Sequence, residues 1–185
     1  MRERQSLNGL WQFQIDHKEE GESHTWYRTG LPSSQEVEVP HIWQRSRELM
    51  QYTGTAWYEK DFEVKALSED RRLFLVFGAV DFHARVWVNG IEVGEHEGGF
   101  TPFEFDITDK VRTGVNRITV RVYDPQDNAE IPIGKQGSWY TRVSGIWQDV
   151  YLETRPRIYI RQVHVFPAVD PSTAGIRISL SEEAE

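Results

Sequence analysis

The chain has 185 residues, of which 38% are hydrophobic and 27% charged, an ordinary globular balance with room for one domain and part of another. Its formal net charge of −8 argues against nucleic acid and anionic membrane surfaces as partners, and no apolar stretch approaches the roughly 20 residues of a membrane span. The absence of cysteine excludes disulfides, thiol catalysis and thiolate metal sites, whereas the seven Trp residues fit either a large β-sandwich core or a carbohydrate-binding surface.

The N-terminal segment, "MRERQSLNGLWQ", has basic residues but no apolar stretch behind them. A secretory signal peptide needs such a stretch, so we expect none here and favour a cytoplasmic location. No window farther along the chain has the 3.6-residue apolar period of a helix, and Ser46–Gln51 predicts at most one helical turn. We therefore expect a chain built from β-strands.

A buried strand and a hairpin are predicted in the middle of the chain. Residues 71–80, "RRLFLVFGAV", form a continuous apolar run, which indicates a strand covered on both faces. In "RVWVNGIEV", the Asn89-Gly90 pair suits a two-residue type I′ turn, because both central positions of that turn need a positive φ. The two flanking runs are thus expected to pair as an antiparallel hairpin.

Two glycines and three phenylalanines follow this hairpin. We expect Gly98-Gly99 to break the strand, so that Phe100, Phe103 and Phe105 enter the core of the sandwich. Because no Lys-Ser/Thr pair and no helix follow the glycines, a phosphate-binding loop is disfavoured.

His96 lies between two glutamates just before these glycines. No second histidine lies at a metal-ligand spacing from it, so the sequence gives no reason to predict a metal site. Two interpretations remain open for His96. It is either a loop histidine bonded to backbone or a contact to another domain of the protein.

Alternation of apolar and polar residues is clear in the last third of the chain. "RITVRVYD" places Ile118, Val120 and Val122 on one face of a strand, and residues 145–153 alternate in a similar way. Many short strands separated by turn residues predict an all-β, antiparallel sandwich or barrel. A βαβ architecture would need helices that the sequence does not offer.

The segment between these two strands begins with acidic residues. Asp124–Glu130, "DPQDNAE", lacks the central Gly and terminal Glu of a calcium-binding loop, which favours a solvated loop over a cation site. None of the 29 acidic residues of the chain lies in a context that marks it as catalytic.

The rest of this segment is the best candidate for binding. Flat aromatic rings stack on the C–H faces of sugars, and Arg, Lys and Gln side chains bond sugar hydroxyls. A surface between domains is also rich in Trp and Arg, so both interpretations stay open. The candidate carbohydrate-binding residues are Lys135, Gln136, Trp139, Tyr140 and Arg142.

A domain boundary is expected at Pro156, which cannot donate to a sheet and follows a strand that is predicted to end near Glu153. Two strand-like runs follow it, and two strands alone are at best marginally stable. We therefore predict one domain over residues 1–156 and the truncated start of a second β domain over residues 157–185.

Five segments together resemble a known family. They are "LNGLWQFQID", "VEVPHIWQ", "YTGTAWYEKDFEV", "FGAVDFHARVWVNGIEVGEHEGGFTPFEFDIT" and "SGIWQDVYLE", in this order. The chain is similar over about Ser6 to Arg155 to the N-terminal sugar-binding domain of family 2 glycoside hydrolases, the β-galactosidase, β-glucuronidase and β-mannosidase group. Any one segment is a weak signal, whereas five in register are specific.

The resemblance implies a jelly-roll β-sandwich of the galactose-binding-domain type, followed from residue 157 by the start of an immunoglobulin-like β-sandwich. It implies a retaining β-glycosidase as the parent protein, with both catalytic glutamates in a TIM barrel downstream. This chain would then hold no catalytic residue, metal or cofactor. Its partners would be a β-glycoside substrate and the barrel itself, which His96 is expected to contact.

In the β-galactosidase and β-glucuronidase types, the loop before the "SGI"-like segment carries a sugar-binding aspartate. Here no acidic residue occurs from Lys135 to Ile146, so that role is carried over to no residue of this chain. Trp139, Tyr140 and Arg142 occupy the region instead. Two alternative functions remain. One is a free-standing carbohydrate-binding module, and the other is a self-contained hydrolase.

Overall fold

The computed structural model describes residues 2–125, 143–169 and 172–181. These residues form one four-residue helix, α1 (Trp26–Thr29), and twelve strands. The strands are, in chain order, β1 (Glu3–Ser6), β2 (Gly9–Ile15), β3 (Gln35–Val39), β4 (Gly54–Val64), β5 (Arg71–Phe77), β6 (His83–Val88), β7 (Ile91–Glu97), β8 (Phe103–Asp106), β9 (Gly114–Asp124), β10 (Val150–Pro156), β11 (Ile160–Pro167) and β12 (Ala174–Leu180). No helix of this part of the chain is long and apolar enough to span a membrane.

Two antiparallel sheets form the sandwich. One has the strand order β1-β10-β5-β8 and the other has the order β3-β2-β4-β9-β6-β7. Strands that are far apart in the chain lie side by side, as β1 and β10 do, which is typical of a jelly roll. The predicted all-β, antiparallel jelly-roll sandwich is confirmed.

The main core lies between the two sheets and follows the predicted alternation. Ile118, Val120 and Val122 on β9 are fully buried in it. β5 is buried on both faces, as predicted. Its outward-facing Phe74 is covered by the Arg155 guanidinium, 4.1 Å from the ring centroid, and by the ring of Tyr159. Burial of such side chains is the main force that holds the sheets together.

A second, smaller core covers the outer face of the six-stranded sheet. The long β2–β3 connection places Trp26 against Trp57, which in turn stacks on Trp87 with ring centroids 5.4 Å apart. The buried carboxylate of Asp16 accepts hydrogen bonds from the Trp57 indole and from the Gly21 backbone N–H, both at 2.9 Å. The connection is therefore part of the folded structure.

These two cores account for most of the tryptophan content. Five of the seven Trp residues are buried in them, so their function is packing: Trp11, Trp26, Trp43, Trp57 and Trp87. The aromatic composition is therefore explained mainly by the sandwich and not by a binding surface.

The predicted hairpin is confirmed, with φ of 52° at Asn89 and 76° at Gly90 between β6 and β7. The prediction for Phe100 is wrong, because its side chain is 56% exposed. Phe103 and Phe105 pack on the core because they alternate inward along β8, whereas Phe100 lies in the bend before that strand.

Two other local predictions differ from the structure. Ser46–Gln51 folds as turns, and the short helical turn lies just before it, at Trp43–Arg45. The strand β10 does not end near Glu153 but continues to Pro156. Proline is tolerated there because the last residue of a strand can lack a ladder hydrogen bond.

β11 and β12 form a separate two-stranded sheet. Val163 pairs with Ile178 and Val165 with Ile176, and all four side chains are exposed. The hairpin contacts the sandwich near its base, where the Arg2 guanidinium donates to the Ile160 carbonyl at 3.3 Å. One apolar face of the hairpin thus remains uncovered.

Candidate functional site

The candidate site lies at the end of the sandwich where Asp124, the last residue of β9, meets Ser144, which precedes β10. The five predicted carbohydrate-binding residues, Lys135, Gln136, Trp139, Tyr140 and Arg142, lie outside the described residues, so their role stays a prediction. The structure does describe the two stems, Asp124 and Ser144, and the surface around them.

The two stems are joined by a buried polar network. The Ser144 hydroxyl donates to the Asp124 carboxylate at 2.5 Å and accepts from the Gln44 side-chain amide at 2.6 Å. The Ser144 backbone N–H donates to the Gln44 side-chain carbonyl at 2.9 Å. Since Asp124 and Ser144 are almost fully buried, the network fixes both stems with respect to β9.

This network corrects one prediction. Asp124–Glu130 was expected to be a solvated loop, but its first residue, Asp124, is buried and is the last residue of β9. The reason is that Ser144 and Gln44 supply hydrogen bonds that compensate for the lost solvation of the carboxylate.

The residue after Ser144 is a glycine, Gly145, for a geometric reason. Its φ is 102°, a value that a side chain strains. A Cβ here would also lie 2.6 Å from Trp43 Nε1, 2.7 Å from Tyr58 Oη and 2.8 Å from the His41 carbonyl oxygen. The Gly145 backbone exchanges two hydrogen bonds of 3.0 Å with Asp81. Close approach of the backbone to an aromatic cluster therefore requires glycine.

That aromatic cluster is centred on Tyr58. The Trp43 indole donates to Tyr58 Oη at 2.7 Å, and Tyr58 Oη lies 2.8 Å from His41 Nδ1. Burial lowers the pKa of His41 to about 4 and raises the pKa of Tyr58. At neutral pH both groups are uncharged, and a hydrogen bond joins the Tyr58 hydroxyl to His41 Nδ1. The cluster is a stable support and not an acid–base pair.

His96 lies on β7, and its ring stacks on Phe103 with centroids 4.2 Å apart. The residue belongs to a strand and not to a loop, but its ring hydrogen-bonds the Gly98 backbone, so only the loop part of the interpretation as a loop histidine bonded to backbone is wrong. Its Nε2 lies 3.3 Å from the Thr101 hydroxyl, and burial is the main cause of a lowered pKa. The predicted contact of His96 with another domain stays a prediction.

An exposed aromatic pair lies next to the stems. The Trp147 indole donates to the Gly99 carbonyl at 2.8 Å, and the rings of Trp147 and Phe100 meet edge to face with centroids 5.9 Å apart. This contact has no local sequence signal, since the two residues are 47 positions apart in the chain.

Several charged residues elsewhere on the sandwich form ion pairs. Glu153 is 1% exposed and lies between Arg4, 2.7 Å away, and Arg155, 2.6 Å away. Arg155 also bonds Glu104, so the outer face of the four-stranded sheet carries an ion-pair network. Among the residues that the structure describes, no group of three or more His, Asp or Glu side chains is arranged to hold a metal ion.

The fold and the stem geometry define an all-β sandwich domain in which a buried network joins Asp124 and Ser144 at one end. A model of one protein family, described as "Glycosyl hydrolases family 2, sugar binding domain", matches residues 45–156. The chain belongs to this family and corresponds to its sugar-binding domain. The family resemblance predicted from the five sequence segments is thus confirmed.

The chain is similar to complete glycosidases over part of their length. It is 31% identical to the β-glucuronidase of Felis catus, with 93% of this chain and 32% of that protein covered. It is 30% identical to the β-galactosidase of Priestia megaterium, with 97% of this chain and 19% of that protein covered. A solved β-glucuronidase structure from an uncultured Clostridium sp. superposes with a TM-score of 0.82 at 31% identity, over 98% of this chain and 34% of that one.

The chain therefore spans about a third of the length of the β-glucuronidases that it matches. These relatives include β-glucuronidases and also a β-galactosidase. The comparisons thus define the family and the domain and leave the sugar open.

Proposed function

We propose that this chain is the non-catalytic, sugar-binding and structural domain of a retaining β-glycosidase that hydrolyses O-glycosidic bonds in carbohydrates. The observation that carries this proposal is that a family described as sugar-binding matches the chain, while relatives named as glycosidases are about three times as long. The catalytic glutamates would lie in a separate TIM barrel, and the sandwich would support that barrel and form one wall of its sugar pocket.

The residues of this chain that contact carbohydrate are proposed to be Lys135, Gln136, Trp139, Tyr140 and Arg142. The fixed stems on either side, Asp124 and Ser144, support this proposal, because a binding segment needs a rigid base. His96, on the edge strand β7, is proposed to contact the barrel.

We also propose two domains, residues 1–156 and 157–185, with the second as the opening of an immunoglobulin-like β-sandwich. The uncovered apolar face of β11 and β12 supports this proposal, because a two-stranded sheet needs a second layer to be stable. The family match, which ends at residue 156, supports the same boundary.

The free-standing carbohydrate-binding module is the alternative function. It was motivated by the tryptophan content, and five of the seven Trp residues are now assigned to the two cores. Trp139 and Trp147 remain as aromatic contacts for such a module.

The decisive experiment measures turnover of nitrophenyl β-D-glucuronide and β-D-galactoside. The purified 185-residue chain should release no nitrophenol, and the complete natural reading frame that contains it should turn over one of the two substrates. Turnover by the 185-residue chain, or a reading frame without activity towards any β-glycoside, would contradict the proposal.

The proposed role of Trp139 in sugar binding has its own experiment and control. In the complete reading frame, Trp139→Ala should raise KM, whereas Phe166→Ala on the exposed hairpin should leave KM unchanged. Equal effects of the two substitutions would count against a role of the loop in sugar binding.

A further inference from the structure

Phe100 and Trp147 form an exposed aromatic corner at the end of the sandwich that holds the stems. Phe100 is 56% exposed and Trp147 is partly exposed. Their ring planes meet at 68°, with centroids 5.9 Å apart. Two aromatic rings that stay exposed side by side are typical of binding surfaces, in which aromatic side chains are enriched.

The aromatic corner is held rigidly by one buried residue, Asp81. Its backbone pairs with Gly145, two residues before Trp147. Its carboxylate packs on Gly99, where a Cβ would lie only 2.0 Å from Asp81 Oδ2. The Gly99 carbonyl accepts from the Trp147 indole, so both rings are tied to the same support. A surface that is already ordered loses little conformational entropy when a ligand binds.

The surroundings of the aromatic corner are polar. Thr101 follows Phe100 and lies 3.3 Å from the ring nitrogen Nε2 of His96, and the exposed Gln148 follows Trp147. Two rings with a hydroxyl and an imidazole beside them match a pyranose, which has apolar C–H faces and a rim of hydroxyls.

We propose that the Phe100–Trp147 corner is a sugar-stacking site that contacts one pyranose ring of a β-glycoside. This inference rests on the proposed sugar-binding function and adds to it a place outside the segment 126–142. Trp147 would provide the stacking face, Phe100 the side wall, and Thr101 the hydrogen bond to a hydroxyl.

The test is saturation-transfer difference NMR on the 185-residue chain with methyl β-D-glucuronide and methyl β-D-galactoside. Irradiation of the aromatic protons should transfer saturation to the ring C–H protons of at least one sugar. Phe100→Ala should weaken the binding roughly 2- to 12-fold, the range expected for one aromatic contact. Phe166→Ala removes an exposed ring from the hairpin and should leave the transfer unchanged.

A second variant separates stacking from folding. Trp147→Phe keeps an aromatic ring but loses the hydrogen bond to the Gly99 carbonyl, so it should bind sugar more weakly while the Tm changes little. Sugar binding by the unchanged chain that neither Phe100→Ala nor Trp147→Phe weakens would overturn the inference and leave the proposed function intact.

Absence of any transfer to either sugar would also overturn the inference. The proposed function is judged separately, by turnover in the complete reading frame. In that protein, Phe100→Ala should raise KM more than it lowers kcat. A fall in kcat with unchanged KM would assign the corner to contact between domains and refute the sugar site.

Discussion

Gly145→Ala tests whether close packing explains the glycine of the "SGI" segment, and it has a matched control in the same chain. Gly145 has φ of 102° and Gly9 has φ of 100°, so alanine strains the backbone equally at both. A Cβ at Gly145 meets three groups at 2.6–2.8 Å, whereas a Cβ at Gly9 meets nothing within 4 Å. The difference between the two variants therefore isolates the close contact.

The magnitudes follow from these two contributions. Positive φ costs an L-residue about 1–2 kcal/mol, which is the whole loss expected for Gly9→Ala. Forcing a methyl group into a packed site costs about 1–3 kcal/mol more, which applies only to Gly145→Ala. For a chain of this size, the extra loss corresponds to a Tm lower by about 2–12 °C.

The assay is urea and thermal unfolding of the 185-residue chain, followed by tryptophan fluorescence, because five buried Trp residues report on the two cores. Gly145→Ala should unfold at clearly lower urea and temperature than Gly9→Ala. Equal stability of the two variants would refute the packing explanation of Gly145 against Trp43, Tyr58 and His41.

Three further predictions concern the stems, the histidine and the hairpin. Ser144→Ala removes a buried hydrogen bond to Asp124 and should lower the free energy of unfolding by about 1–3 kcal/mol. The control, Ser33→Ala, removes an exposed hydroxyl and should change that free energy little. Equal losses in the two variants would contradict the role of the Asp124–Ser144–Gln44 network. His41 has a folded pKa of about 4, below its usual 6.5, so the unfolded chain binds the proton first and stability should fall as the pH drops from about 6.5 to 4. An NMR titration that finds His41 charged at pH 6 would contradict this. In a hydrogen-exchange experiment, the backbone amides of β11 and β12 should exchange faster than those of β9, since the hairpin is exposed and β9 is buried. Equal protection of the three strands would contradict this prediction.

Much of the fold could be predicted because its signals are local. Ile118, Val120 and Val122 alternate within six residues, and a two-residue turn at Asn89-Gly90 depends on two neighbouring φ angles. Such patterns need no knowledge of partners elsewhere in the chain.

The candidate site was harder to predict because its partners are distant. Ser144 is 20 residues from Asp124 and 100 residues from Gln44, so neither hydrogen bond has a sequence period. Phe100 was expected in the core because its hydrophobicity is visible in the sequence, whereas its position in a bend before β8 is not. Tertiary contacts decided each of these positions.

The β2–β3 connection also lacked a local signal. Its only helix, α1, has four residues, which is too short for a helical period. The stack of Trp26, Trp57 and Trp87 forms only after three separate segments meet on the outer face of the sheet.

The central claim is that carbohydrate contacts this domain at the end where residues 126–142 emerge and that hydrolysis takes place elsewhere. The most direct measurement is an amide and indole NMR titration of the chain with methyl β-D-glucuronide and methyl β-D-galactoside. The account predicts perturbed signals at Ser144, Gly145 and the Trp147 indole, with β11 and β12 unaffected. Perturbations confined to the opposite end of the sandwich, around the cleft lined by Lys65, Leu73 and Leu152, would contradict it.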